Sequence, residues 1–383
     1  MQSEPAKLIF TMRDAGSAGH IAELAAGAAA RGTLCQVVAE GPAQERLAAR
    51  GIPHVRALTW LDTSVSRSDL LRSRAIAAER IQKFGASLVV CGRSSTDENG
   101  IDEIVIAAAR SLGIPSVVVQ DFWGDTWPEV SRPDHYLVID TLAARLTEAR
   151  TSATAHVIGS LKHARYRECD FQSFRRRGRE ALGLGMQAMT IGYFGQDILH
   201  LPGYHHVLRD IGHLAARMGD VSLFYKPHPR ESTESSSRTI SLLRGAGARP
   251  ITVKNMEIEI AIAAADIVVS CFSTVGLDAA YMMCAADSPA VSIICADYPA
   301  DVSGFWRSAT GLTAFPLVTD GIALPAVDRQ TLEVAIRTGL TNAERKRQAD
   351  RSRMIFGNLD DPVKDAYELI ERIVGNDSSK MEA

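Results

Sequence analysis

Short apolar runs rich in Val and Ile recur along the chain, each separated from the next by a stretch with helical spacing. Residues 87–91 read SLVVC, 116–120 read SVVVQ and 266–270 read DIVVS. These runs do not alternate polar with apolar, so each belongs in a sheet covered on both faces. Strands alternating with helices of about 10 to 15 residues point to βαβ units and parallel sheets. In the first half the pattern predicts strands at 7–12, 34–39, 54–57, 87–91 and 116–120, with helices at 20–31, 43–50, 68–84 and 102–112. The second half repeats the style, with strands at 188–194, 221–226, 266–270 and 290–295 and another closing the helix-strand segment 235–253. Its helices are expected at 204–218, 257–264, 275–284, 328–340, 342–355 and 362–374.

The chain has 383 residues, enough for two to three domains. The fold class expected is α/β, two Rossmann-like parallel-sheet domains facing across a cleft. The N-terminal domain is placed at 1–165, a basic, Gly- and Arg-rich linker at 166–185, and the C-terminal domain at 186–357. A helix at 358–375 is expected to cross back to the first domain, with a disordered tail at 376–383.

Lys plus Arg number 42 against 45 Asp plus Glu, a net charge of −3, which argues against a general nucleic-acid binder. Six cysteines are scattered without a CxxC pair, so they read as small buried residues of a reducing compartment. The start lacks the features of a signal peptide, and no apolar run reaches the roughly 18 residues of a membrane span. The expected location is the cytoplasm. The run Arg175-Arg176-Arg177-Gly178-Arg179 reads as a solvated face. Its minority reading is peripheral contact with the inner face of a membrane, which would suit a lipid-linked acceptor.

Ligands of open parallel sheets bind beyond the carboxyl ends of the strands. The candidate motifs follow strands. The first is Asp14-Ala15-Gly16-Ser17-Ala18-Gly19-His20, read as a small-residue loop that lets a ligand approach Gly16 and Ser17. His20, at the expected helix start, is a candidate general base. The loop is not GxGxxG, and Glu40 after the second strand is a weak ribose signal, so a dinucleotide site is disfavoured. The loop after SVVVQ reads Asp121-Phe122-Trp123-Gly124-Asp125-Thr126-Trp127. Its Asp121 or Asp125 could deprotonate an acceptor hydroxyl and Trp123 could stack on a sugar; packing of the aromatics inside the protein is the alternative. Asp14 joins His20, Asp121 and Asp125 as a candidate catalytic residue. Arg93, opening the loop at 92–100, could bind an acceptor or anion.

In the second half, Lys226-Pro227-His228-Pro229-Arg230 holds an imidazole on a stiff, cationic loop, as a phosphate contact requires. The segment DIVVSCFSTVGLD empties a strand into Ser270, Ser273 and Thr274 and then starts a helix, whose free N–H groups make an anion cradle. Plain N-capping by Ser273 or Thr274 is the alternative. Asp278, four residues on, could reach a ribose hydroxyl. Gly195 and Gln196, after the strand at 188–194, could approach the same ligand. No HExxH, Walker loop or carboxylate pair after a second-half strand is present, so no catalytic metal is expected.

Two Rossmann-like halves with these motifs resemble the GT-B superfamily of glycosyltransferases. The pairs His228-Pro229 and Ser273-Thr274 look like the HP and S/T-S/T motifs of bacterial sialyltransferases and polysialyltransferases, and of CDP-glycerol polymerases. The resemblance implies that His228 contacts the donor phosphate and that Ser273 and Thr274 bind the nucleotide monophosphate. It further implies a nucleotide-sugar as co-substrate without a cofactor, and a glycan, lipid-linked or small-molecule acceptor. The sialyltransferases place their base in an acidic-acidic-Gly motif, where this chain has DFWGD. A non-hydrolysing 2-epimerase is the rival enzyme, although its GTRPE-like loop is absent. A sugar-nucleotide-binding protein without catalysis is the rival outside enzymes.

Overall fold

The computed structural model describes residues 6–62, 69–93, 100–126, 132–253, 255–286, 291–357 and 361–381. The chain forms two units, Met1–Ala164 with Leu359–Ala383, and Arg165–Asn358.

The first unit holds β1 (Lys7–Met12), β2 (Leu34–Ala39), β3 (Val55–Arg56), β4 (Leu88–Gly92), β5 (Ser116–Val119), β6 (His135–Val138) and β7 (Thr154–Val157). They form a parallel sheet of order β3-β2-β1-β4-β5-β6-β7. Leu8, Phe10 and Met12 of β1 point into a core filled by Ala18, Ile21, Ala22 and Ala25 of the helix Ala15–Ala30. The small alanines let that helix lie close to the sheet. The last helix, Pro362–Met381, belongs to this unit and packs Ala366, Tyr367 and Ile370 into the same core. The Tyr367 hydroxyl donates to the Leu24 carbonyl, and Arg31 lies 4.3 Å over its ring.

The second unit holds β8 (Met189–Phe194), β9 (Val221–Lys226), β10 (Ile251–Thr252), β11 (Ile267–Ser270), β12 (Ser292–Cys295) and β13 (Leu324–Pro325). These are also all parallel, in the order β10-β9-β8-β11-β12-β13. In each sheet the strand order reverses once, between β1 and β4 in the first unit and between β8 and β11 in the second. The two helices that leave such a point lie on opposite faces, and a crevice opens between them at the strand ends.

Four expectations change. Residues 13–19 are not a loop, because the helix starts at Ala15, which puts His20 in its second turn. Residues 166–185 are not a linker: the helix Phe171–Ala181 lies inside the second unit and packs on the helix Ile258–Ala264. The arginine run there is not simply a solvated face. Arg179 is fully buried, donating to Asp266 at 2.9 Å and to the carbonyls of Gly185, Met186 and Ala188. Arg175 donates to the other Asp266 oxygen at 2.6 Å and to the carbonyls of Ala263 and Ala265. Only Arg176 and Arg177 are left on the exposed side. Finally, the last helix passes Gly375 and runs to Met381, where a tail from 376 was expected. Helix extension adds one hydrogen bond per residue once a packed turn exists, which outweighs one glycine. Among the described residues no helix is long and apolar enough to cross a membrane.

Candidate functional site

The crevice of the first unit opens beyond β1 and β4. Asp14 follows β1 and is the N-cap residue of the helix Ala15–Ala30, yet its side chain makes no capping bond. Arg93 follows β4 and is buried, its guanidinium 2.7 Å from Asp125. Asp121 follows β5, half-buried, against the first turn of that helix. A Cβ on Gly16 would lie 2.3 Å from an Asp121 oxygen, so glycine is what admits the carboxylate. Three carboxylates thus converge, Asp14, Asp121 and Asp125, with Arg93 and Lys162 as the nearby cations. Burial, and then the charges of Asp125 and Asp14, push the Asp121 carboxyl up to about 7, while Lys162 and Arg93 pull the other way. Asp125 is also raised by burial, but its ion pair with Arg93 opposes that. Asp121 is therefore the carboxylate poised near neutrality, a property that active sites favour.

Several supports of this cluster carry no sequence signal. Lys162 is buried with its aliphatic stem against Gly19. Gln120 donates to the Asp125 carbonyl at 2.8 Å and so shapes the 121–126 loop, and Arg150 donates to the Gly124 carbonyl. Ser160 and His163 Nδ1 are 2.5 Å apart.

Five first-unit residues singled out above have other partners. Trp123 is 1% exposed and its indole N–H donates to Asp140 at 2.8 Å, so its ring packs the interior and offers no face to a sugar. Ser17 is fully buried and donates to the Asp14 carbonyl. His20 is 4% exposed, its ring edge-on to that of His163 at 6.2 Å. Arg93 holds Asp125 and reaches the Thr126 carbonyl, so it braces the carboxylate loop from within. Glu40 accepts the N–H of Ile101, capping a helix where a ribose contact was considered. Trp127 and residues 94–99 lie outside the described residues.

The crevice of the second unit opens beyond β8 and β11, with β9 alongside. Thr274 is the N-cap residue of the helix Val275–Ala285, and its hydroxyl makes no capping bond, whereas Ser273 accepts the N–H of Val275 at 3.3 Å. Ser270 closes β11, buried beneath them. The loop after β9 brings His228 to the same edge. Its Nδ1 accepts the Arg230 N–H at 3.2 Å, which leaves Nε2 carrying the proton. Burial, helped by the Arg230 charge, lowers the His228 pKa to about 4. At neutral pH this imidazole is an uncharged donor. Glu231 shapes the loop, accepting the His228 N–H at 2.9 Å and the Tyr225 hydroxyl. Lys226 spends one of its N–H groups on the Met256 carbonyl at 2.7 Å, and Arg230 is exposed, 4.0 Å from Asp197.

Three second-unit candidates are structural. A Cβ on Gly195 would fall 2.4 Å from Glu231, so that space is filled by protein. Gln196 is buried, and its side-chain oxygen accepts the N–H groups of Cys271 and Phe272, both at 3.1 Å, clasping the loop after β11 to the end of β8. Asp278 is 2% exposed and accepts the Tyr166 hydroxyl at 3.1 Å; Tyr166 also bridges to Glu259 at 3.0 Å, so Asp278 is not offered to a ribose.

No protein-family model matches the chain, and no curated protein matches it by sequence. Solved structures do. UDP-GlcNAc 2-epimerase from Neisseria meningitidis bound to UDP-GlcNAc aligns over 96% of this chain and all of that one, with a TM-score of 0.68 and 12% identity. A glycosyltransferase from Rickettsia africae aligns over 97% of this chain and all of that one, with a TM-score of 0.65 and 11% identity. HepE of Anabaena, in complex with UDP and glucose, aligns over 96% and 99%, with a TM-score of 0.63 and 14% identity. The fold, two parallel-sheet α/β units of the GT-B type, is common to glycosyltransferases and UDP-GlcNAc 2-epimerases.

Proposed function

We propose that the protein is an enzyme of nucleotide-activated sugars, and more narrowly a glycosyltransferase that moves the sugar to a hydroxyl or other nucleophile of an acceptor. The observation that carries the reading is Asp121, a carboxyl raised to about 7 and set against Gly16, in the first turn of the helix that follows β1. A general base works best with a pKa near the operating pH. In the proposed reaction Asp121 takes the acceptor proton as the acceptor oxygen bonds to the anomeric carbon. The bond from that carbon to the donor phosphate oxygen breaks in the same event. Negative charge grows on the leaving phosphate. On the unit Arg165–Asn358, Nε2–H of His228, the Thr274 hydroxyl, Lys226 and the N-terminus of the helix Val275–Ala285 are donors of the kind that hold a nucleotide phosphate. In this reading the protein's own donors neutralise the phosphate without a metal ion. UDP-GlcNAc and UDP-glucose are the first donors to assay, since one similar structure is bound to UDP-GlcNAc and another is in complex with UDP and glucose. The acceptor is a glycan, a lipid-linked molecule or a small molecule.

A 2-epimerase is the second reading, favoured by the epimerase likeness along nearly the whole chain. One assay separates the two. Nucleotide release that requires an acceptor supports transfer; conversion of UDP-GlcNAc to its 2-epimer without any acceptor refutes it. Nucleotide binding with neither outcome would assign the chain to binding alone.

A further inference from the structure

We propose a second ligand site on the unit Arg165–Asn358, an anion pocket that takes a small phosphorylated molecule. The pocket has a volume of about 370 Å³ and is lined by His206, Arg209, Asp210, His213, Tyr298 and Arg329. That volume lies at the lower end for small-molecule sites, the size of a compact metabolite. The first four residues share one face of the helix Pro202–Arg217, at spacings of three, one and three. Tyr298 comes from the loop after β12, and Arg329 opens the helix Arg329–Gly339.

The charge arithmetic defines the ligand. Asp210 is the one carboxylate of the lining. It already accepts the Tyr298 hydroxyl at 2.7 Å and sits 3.7 Å from Arg329. Among the described residues, Arg209, His206 and His213 make no hydrogen bond or ion pair with the protein. One cationic fork and two imidazoles therefore converge on a concavity whose only acid is engaged. All three side chains are exposed, so their donors face solvent at the mouth of the concavity. Arg209 offers paired N–H donors and each imidazole adds another, more than a lone carboxylate can accept, whereas a phosphate has the oxygens for all of them. The chain's net charge of −3 disfavours an extended polyanion as the occupant. None of these residues belongs to the β8 and β11 crevice, so the pocket stands or falls independently of the nucleotide reading.

Inorganic pyrophosphate is the probe, titrated by calorimetry into the full chain and followed in parallel through the histidine ring signals by NMR. His206→Asn and His213→Asn assign those signals. Arg209→Gln should weaken pyrophosphate binding at the pocket at least 10-fold, and Asp210→Asn should tighten it about 5-fold by removing the opposing charge. The ring signals of His206 and His213 should shift at the same pyrophosphate concentration that gives heat. Acetate should shift neither ring. Ring signals that stay still under saturating pyrophosphate would overturn the site. So would affinities at those signals unchanged within twofold in both variants, or an acetate response equal to that of pyrophosphate.

Discussion

The ends of β1 and β4 and the ends of β8 and β11 are equivalent places in two sheets of the same construction, yet they carry opposite chemistry. The first gathers Asp14, Asp121 and Asp125 and answers them with Arg93 and Lys162. The second presents a neutral imidazole and a hydroxyl beside a helix N-terminus, with Lys226 and Arg230 on its flank. Carboxylates crowded together raise one another's pKa and become proton acceptors near neutrality. Donors held on a stiff loop suit an anion that must be gripped and released. The topology supplies a crevice twice; the side chains at its lip make one acidic and the other rich in hydrogen-bond donors.

That division can be broken experimentally. The largest effect is expected from Asp121→Asn: kcat should fall by about 10²–10⁴-fold while the dissociation constant for the nucleotide stays within about twofold. Loss of nucleotide binding in this variant would erase the distinction between the units. Next comes Asp266→Ala, which strands the fully buried Arg179. Breaking a buried pair typically costs about 3–5 kcal/mol, readable as a lowered urea midpoint. Stability within about 1 kcal/mol of wild type would put the arginine run back on the surface. A smaller effect is expected from His228→Ala, about 10-fold weaker UDP binding by calorimetry, with Thr274→Ala a few-fold. An unchanged affinity in both would move the phosphate elsewhere.

The smallest effects concern pH and sharpen the comparison. A base at about 7 makes turnover rise with pH through that value. Lys162 lowers the Asp121 pKa, so Lys162→Met should move this limb to higher pH by a fraction of a unit, and a shift to lower pH would contradict the assignment. Stability runs the other way. The folded Asp121 pKa is above its unfolded value of 3.8, so its contribution is complete below about pH 4 and is lost as pH rises through about 7. Asp121→Asn should therefore flatten the decline in stability between those limits.

What could be read from sequence follows the range of the forces involved. The interior strands were legible because Val-rich runs such as 116–119 report burial locally, whereas the edge strand β7, with both its ends exposed, carries no such run. The stiffness of the loop after β9 was legible because Pro227 and Pro229 act on adjacent residues. Roles that depend on distant partners were not. Arg179 looks solvated until Asp266, 87 residues on, is placed against it. Gln196 looks like a ligand contact until the loop after β11, 75 residues away, closes on it. Trp123 resembled a sugar platform because Asp140 was not yet beside it. Asp121 and Asp125 could not be ranked from sequence, since their difference rests on where Arg93 and Lys162 fall.

The placement of the helix Pro362–Met381 has a consequence for biogenesis. The unit Met1–Ala164 is interrupted after Ala164 and resumes only at Leu359, with 194 residues of the other unit synthesised in between. At roughly 5–20 residues per second, the ribosome takes about 10–40 s over that interval. During it the groove beside Leu24 and Ala28 lacks Tyr367 and Ile370, so apolar surface stays wet. Of the two units, the one whose synthesis starts first is sealed second, and a nascent chain stalled before Leu359 would present that groove to chaperones and proteases.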